Sequence, residues 1–151
     1  MGTINYFTSD FITLGYNTNC IDYNEEFYND DIQWEFDEIE KLIKEQCFYY
    51  FNISLKPGYY EGFSIDIEYN FSYSLDDYND KLQALKEITR IKKFLVYVVN
   101  NFEVCVVHPG WCTAYLNFKD SLSEINNAIK EMRTEVKQTP TYYQLYLAGE
   151  Y

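Results

Sequence analysis

Two Pro-Gly pairs, Pro57-Gly58 and Pro109-Gly110, interrupt this chain in matching surroundings. The stretch Lys56-Pro57-Gly58-Tyr59-Tyr60-Glu61-Gly62-Phe63 is echoed by His108-Pro109-Gly110-Trp111-Cys112-Thr113-Ala114-Tyr115. Proline fixes φ and glycine accepts φ > 0, so each pair fits the centre of a type II turn. Each turn follows a β-rich run, Phe48 to Leu55 or Glu103 to Val107. Each precedes another, Gly62 to Tyr73 or Trp111 to Phe118. Phe63, Ile65, Ile67, Tyr69 and Phe71 alternate with Ser64, Asp66, Glu68, Asn70 and Ser72, the period of a half-buried strand. Such short connections force both hairpins to be antiparallel.

A helical pattern follows each hairpin. Asp80 to Asn100 carries Leu82, Leu85, Ile88, Ile91, Leu95 and Val98 at helical spacing. Beyond the second hairpin, Asp120 or Ser121 is placed to cap a helix whose apolar stripe is Leu122, Ile125, Ile129, Met132 and Val136. A third helix precedes both units, from Asn24 or Asp30 to Glu45, with Asn24 and Asn29 as alternative caps. Thr3 to Phe7 and Phe11 to Tyr16 have the makings of short strands. Pro140 to Leu147 reads as a short aromatic helix that begins with proline and stops at Gly149. The expected fold is α+β: one domain over residues 1–151, with an antiparallel four-stranded sheet built from two ββα units. Helices cover the sheet, and an additional acidic helix lies towards the N-terminus.

Charge is distributed unevenly over this frame. Met1 to Glu40 holds ten carboxylates and no Lys or Arg. Up to Asp80 there are 17 acids and 3 bases, a net of −14; from Lys81 onward there are 7 acids and 9 bases, a net of +2. Such a field repels nucleic acid and anionic membranes and attracts basic surfaces. Hydrophobic residues make up 47% of the chain, enough for a core, so the acidity does not imply disorder. The start lacks a basic segment followed by an apolar one, and Phe94 to Val99 is the longest apolar run. The expectation is a cytoplasmic protein with neither secretion signal nor membrane span.

On the acidic helix, Tyr28, Ile32, Phe36, Ile39, Leu42 and Ile43 share one side when projected at about 100° per residue. Glu26, Asp30 and Asp37 fall opposite, spanning roughly 16 Å along the axis. Trp34 and Phe27 lie on the flank beside Asp31 and Glu38. A line of carboxylates beside solvated aromatic rings can imitate a phosphate backbone with its bases, competing for a protein that grips nucleic acid through Lys and Arg. The candidate partner-binding residues are therefore Glu26, Asp30, Asp31, Trp34, Asp37 and Glu38. A solvated face that serves only solubility is the alternative for the same residues.

Other constellations carry less chemistry. Cys105, His108 and Cys112 have short spacing around a turn, and Cys20 or Cys47 would have to complete a metal set. A buried strand cysteine explains Cys105 equally well. Cys112 with His108 as a nucleophile pair would need a lowered thiol pKa, which a negative field opposes. Asp66 and Glu68 share a strand face and Asp76, Asp77 and Asp80 cluster after it, but no phosphate-cradling or EF-hand motif accompanies them. Lys81, Lys86, Arg90, Lys92 and Lys93 form a small basic patch, suited to pairing with the acidic helix or a second copy. No catalytic residue, metal or cofactor is assigned.

Met1-Gly-Thr-Ile-Asn-Tyr-Phe-Thr-Ser-Asp10, Lys56 to Phe63, Pro109-Gly-Trp-Cys-Thr113 and Ile129-Lys-Glu-Met-Arg133 together resemble a family of small uncharacterised acidic proteins of phages and conjugative elements from low-GC Gram-positive bacteria. The resemblance spans most of the chain and brings no catalytic residues with it. By analogy with small acidic anti-CRISPR and anti-restriction proteins, it implies an inhibitor acting in a bacterial host cytoplasm. Its partner would be a basic nucleic-acid-binding protein such as a CRISPR effector or restriction enzyme. Two alternatives stand beside this: a mobile-element enzyme or metal-binding protein using the carboxylates or the Cys105/His108/Cys112 turn, and an assembly partner using the aromatic surface.

Overall fold

The computed structural model describes residues 10–16, 25–57, 63–69, 78–108 and 114–149. It is an α+β structure in which an antiparallel sheet is covered by helices. The strands are β1 (Asp10–Tyr16), β2 (Phe51–Pro57), β3 (Phe63–Tyr69), β4 (Val104–His108) and β5 (Ala114–Tyr115). The helices are α1 (Glu25–Gln46), α2 (Tyr78–Asn101), α3 (Phe118–Gln138) and α4 (Tyr142–Leu147).

The sheet has five strands in the order β2-β3-β1-β4-β5, with β1 between the two hairpins. The hairpins therefore do not pair with each other, as a four-stranded sheet would require. The reason lies in Ile12 and Leu14. Both are buried, on the same side as Ile67 and Ile65 of β3 and Val106 of β4, which they face in register. A strand with an apolar face and two free edges gains most when it is paired on both sides.

From β1 to β4 the connectivity is β-α-β-β-α-β with spatial order 2-3-1-4, the split β-α-β arrangement of ferredoxin-like folds. Its two halves keep a constant spacing. β1 and β3 begin at Asp10 and Phe63, α1 and α2 at Glu25 and Tyr78, β2 and β4 at Phe51 and Val104; each pair is 53 residues apart. The sequence echo around the Pro-Gly pairs has an offset of 52, one residue short of this spacing, and β5, α3 and α4 follow the pseudo-repeat.

The strand register sets the bounds of the two connections. Pro57 faces Phe63 and His108 faces Ala114, so the connections occupy 58–62 and 109–113. Pro57 ends an edge strand, where a missing N–H is tolerated, instead of opening a two-residue turn. Gly58 and Pro109-Gly110 lie outside the described residues, as does Thr3 to Phe7.

One continuous core joins the helices to one face of the sheet. Phe51, Leu14, Ile39, Ile65, Ile67, Ile88, Ile91, Leu95, Ile125 and Met132 are among its fully buried side chains. Each contributes about 1.5–3 kcal/mol through removal of its surface from water. Along β2 and β3 the alternate positions Asn52, Ser54, Ser64, Asp66 and Glu68 keep water contact. In β4 the alternation fails: Val104, Cys105, Val106 and Val107 are all buried, as in a strand covered on both faces.

Among the described side chains the helix stripes follow the expected spacing except at Leu82, which is 41% exposed; those of Tyr28 and Ile32 lie outside the described residues. α3 is capped by Asn117, not by Asp120 or Ser121: the Asn117 side chain accepts from the Asp120 N–H at 2.8 Å. Ser121 is instead fully buried, its Oγ accepting from the Val106 N–H at 3.0 Å and tying α3 to β4. The cap of α4 is Thr141, in a reciprocal box with Gln144, so Pro140 precedes the helix. Gly149, at φ +74°, follows it in the left-handed region. No helix among the described residues is long and apolar enough to cross a membrane.

Candidate functional site

The outer surface of α1 and α2 carries the candidate site. Within α1, Trp34 is 59% exposed, Asp37 is exposed and Glu38 is half-buried. Glu26, Asp30 and Asp31 belong to the same helix, but their side chains lie outside the described residues. Asp37 accepts from the Gln33 amide at 2.9 Å, one turn earlier. Trp34 does not project alone. Its ring lies 6.2 Å from that of Phe102, which in turn lies 6.4 Å from Tyr97 of α2 in an edge-on contact. Tyr97 is itself 50% exposed. Three aromatic rings from α1, α2 and the segment after α2 thus form one patch beside Asp37 and Glu38. Sequence reading singled out Trp34 but not Phe102 or Tyr97. Those two residues join it only because α1 and α2 run antiparallel on the sheet.

Two carboxylates in the same region have a different task. Glu35 is buried, and one of its oxygens accepts from the Glu103 N–H at 2.9 Å. Glu87 is equally buried and accepts from the N–H groups of Tyr49 at 2.8 Å and Tyr50 at 3.0 Å. The acid of α1 thus holds the segment entering β4, and the acid of α2 holds the segment entering β2. The segments they hold are equivalent, since Tyr50 and Glu103 lie 53 residues apart before their strands, while the two acids are 52 apart. A signal for both acids existed in the sequence: on a 100° projection each falls inside the apolar arc of its own helix.

The basic residues of α2 do not pair with α1 carboxylates among the described residues, where the one ion pair is Lys44–Glu40 at 3.4 Å within α1. Arg90 instead stacks over the Phe48 ring, 4.7 Å from its centre, and donates to the Gln46 carbonyl at the end of α1. Lys81 donates to the Lys137 carbonyl at 3.0 Å, an equivalent service to the end of α3. Beyond Arg90 the two helices leave an open groove of about 370 Å³, lined by Leu42, Gln46, Arg90, Lys93, Phe94 and Tyr97.

Of the Cys105/His108/Cys112 turn, only the Cys105 side chain lies among the described residues. Cys105 is a buried strand residue, Cys47 is exposed after α1, and Cys20, Cys112 and the His108 side chain lie outside the described residues. No group of three or more potential metal ligands occurs among the described residues. Asp66 is occupied in accepting from the Thr13 hydroxyl at 2.8 Å, across β1 and β3. Asp80 accepts from the Tyr50 hydroxyl at 2.5 Å. Burial, that bond and the negative charge of Asp80 and Glu87 raise the Tyr50 pKa above its ordinary value.

No protein family, curated protein or solved structure matches the chain.

Proposed function

We propose that this protein is a non-enzymatic inhibitor that binds a basic, nucleic-acid-handling protein through the outer face of α1. The observation that carries the proposal is Trp34, exposed yet braced by Phe102 and Tyr97, with Asp37 and Glu38 at its side. An exposed aromatic anchor with restricted freedom, ringed by charge, is the composition of an interface hot spot. α1 carries nine acids and two bases, which suits a target rich in Lys and Arg. A CRISPR effector or a restriction enzyme has that chemistry, and the sequence resemblance favours both.

The test is inhibition of DNA cleavage by such nucleases, measured across a salt series. Inhibition should weaken steeply with salt, because the interface is mainly electrostatic. Reversing Glu26, Asp30 and Asp37 to Lys should abolish it with the fold intact, and Trp34→Ala should weaken it. The matched reversal of Glu124, Glu131 and Glu135 on α3 should have little effect. Equal loss from both triple variants would refute a located site and leave only bulk acidity. No loss from either would remove α1 from the mechanism.

A further inference from the structure

We propose that the groove between α1 and α2 is a binding site for a small amphiphilic monoanion, an acyl or aryl carboxylate. The site shares Tyr97 with the aromatic patch around Trp34 but uses none of the α1 carboxylates, so it does not depend on the inhibitor proposal. Its lining is largely apolar: Phe94 is 5% exposed, Leu42 is half-buried, and Tyr97 is the third apolar contributor. Among the described residues its charged lining is Arg90 and Lys93, both cations, with no carboxylate. That selection is notable in a chain with 24 acids and 12 bases. The volume of about 370 Å³ is at the lower end of small-molecule sites, which suits one short chain or ring system.

The arrangement is polarised. Arg90, Lys93 and Tyr97 succeed one another along one side of α2, so the cationic end lies roughly 10 Å from the aromatic end. Arg90 is held before any ligand arrives, by the Phe48 ring and the Gln46 carbonyl. A fixed guanidinium costs less to order on binding, and its planar fork suits a carboxylate. Lys93 is exposed and supplies a mobile second charge. The ligand's anionic head would lie at Arg90 and Lys93, with its apolar body over Phe94 and Leu42 towards Tyr97.

The experiment is calorimetric titration of the full chain with sodium decanoate, with decanol as the neutral counterpart of the same length. Decanoate should bind with one-to-one stoichiometry, and decanol far more weakly. Lys93→Glu turns an attraction at the head group into a repulsion and should weaken decanoate binding roughly tenfold or more while leaving decanol unchanged. Because Lys93 is exposed, the variant should fold normally, which circular dichroism verifies. Tyr97→Ala should weaken both ligands. Absence of decanoate binding at millimolar concentration, equal affinity for decanol, or an unaltered affinity in Lys93→Glu would each overturn the proposal.

Discussion

Replacing Glu87 by alanine tests the central claim that a buried acid on one helix secures the chain leaving the other. Glu87 sits in α2 at 7% exposure, with Oε1 accepting from Tyr49 and Tyr50 and Oε2 also 3.2 Å from the Tyr50 N–H. Hydrogen bonds to a charged acceptor contribute about 1.5–3 kcal/mol each, more than neutral ones. The two amides do not lose equally. Tyr49 is 77% exposed, so its N–H recovers water, whereas Tyr50 is half-buried at the mouth of β2. The expected loss for Glu87→Ala is therefore about 2–4 kcal/mol. With a urea m-value of about 1.5–2 kcal/mol/M, the unfolding midpoint should fall by roughly 1–2.5 M. Glu87→Gln keeps one acceptor oxygen and loses the charge, so its fall should be about a third to a half of that. Urea unfolding followed by far-ultraviolet circular dichroism measures both. Equal midpoints for the Gln and Ala variants would refute hydrogen bonding as the cause and leave packing. An unchanged midpoint in both would remove the latch altogether.

Glu35→Ala should destabilise by the same route, about 1–3 kcal/mol in urea unfolding, since it frees the Glu103 N–H. Ser121→Ala should cost about 1–2 kcal/mol because the Val106 N–H loses a buried acceptor, whereas Ser123→Ala on the exposed side of α3 should change the midpoint little. Cys47 follows α1 at φ +47°, so Cys47→Gly should raise the stability by up to about 1 kcal/mol, and a fall would contradict the backbone geometry. Tyr50 should stay protonated in the folded chain at alkaline pH that ionises it when unfolded. Its contribution is complete below the ordinary tyrosine pKa of about 10 and is lost above it, so Tyr50→Phe should lessen the alkaline loss of stability in thermal unfolding between pH 9 and pH 11.

The elements with strong period were legible in the sequence, and the pairing of distant ones was not. Ile125, Ile129, Met132 and Val136 declare the buried side of α3, and Phe63, Ile65 and Ile67 declare that of β3. The place of β1 in the sheet could not be read, because Phe11 to Tyr16 fixes a strand but not its neighbours; alternation constrains one chain segment at a time. The Pro-Gly pairs gave the hairpins, and Pro57 belongs to its strand, while Gly58 and Pro109-Gly110 fall in the connections 58–62 and 109–113, outside the described residues. The strands continue further than the turn residues suggest, and cross-strand pairing at Pro57–Phe63 decides the register. Asn117 lost out to Asp120 and Ser121 as the predicted cap for a similar reason: all three can cap, and only the position of the buried Ser121 separates them. Of the candidate site, Trp34 was legible from its place off the apolar stripe. Its partners Phe102 and Tyr97 lie 68 and 63 residues away and needed the tertiary structure, as did the two lining helices of the groove.

The pseudo-repeat separates what the fold demands of its helices from what it leaves open. α1 and α2 hold equivalent places, 53 residues apart, and both must present an apolar stripe to the sheet. Both also place an acid inside that stripe to hold the other half's connection, which is again a requirement of the frame. Their outer faces are not so bound, and there the two diverge. α1 has nine acids against two bases, a net of −7, while α2 has two acids against five bases, a net of +3. Equivalent packing with opposite charge means that neither sign is needed for the sheet or the core. Nor does direct pairing explain the difference, since the α2 cations Lys81 and Arg90 reach carbonyls and an aromatic ring instead of α1 carboxylates among the described residues. Charge that the fold does not need is charge available for recognition. Under the two proposals, the acidic side with Trp34 would meet a basic protein and the basic side over Phe94 and Tyr97 would receive a small anion, dividing the surface of one helix pair by the sign of its charge.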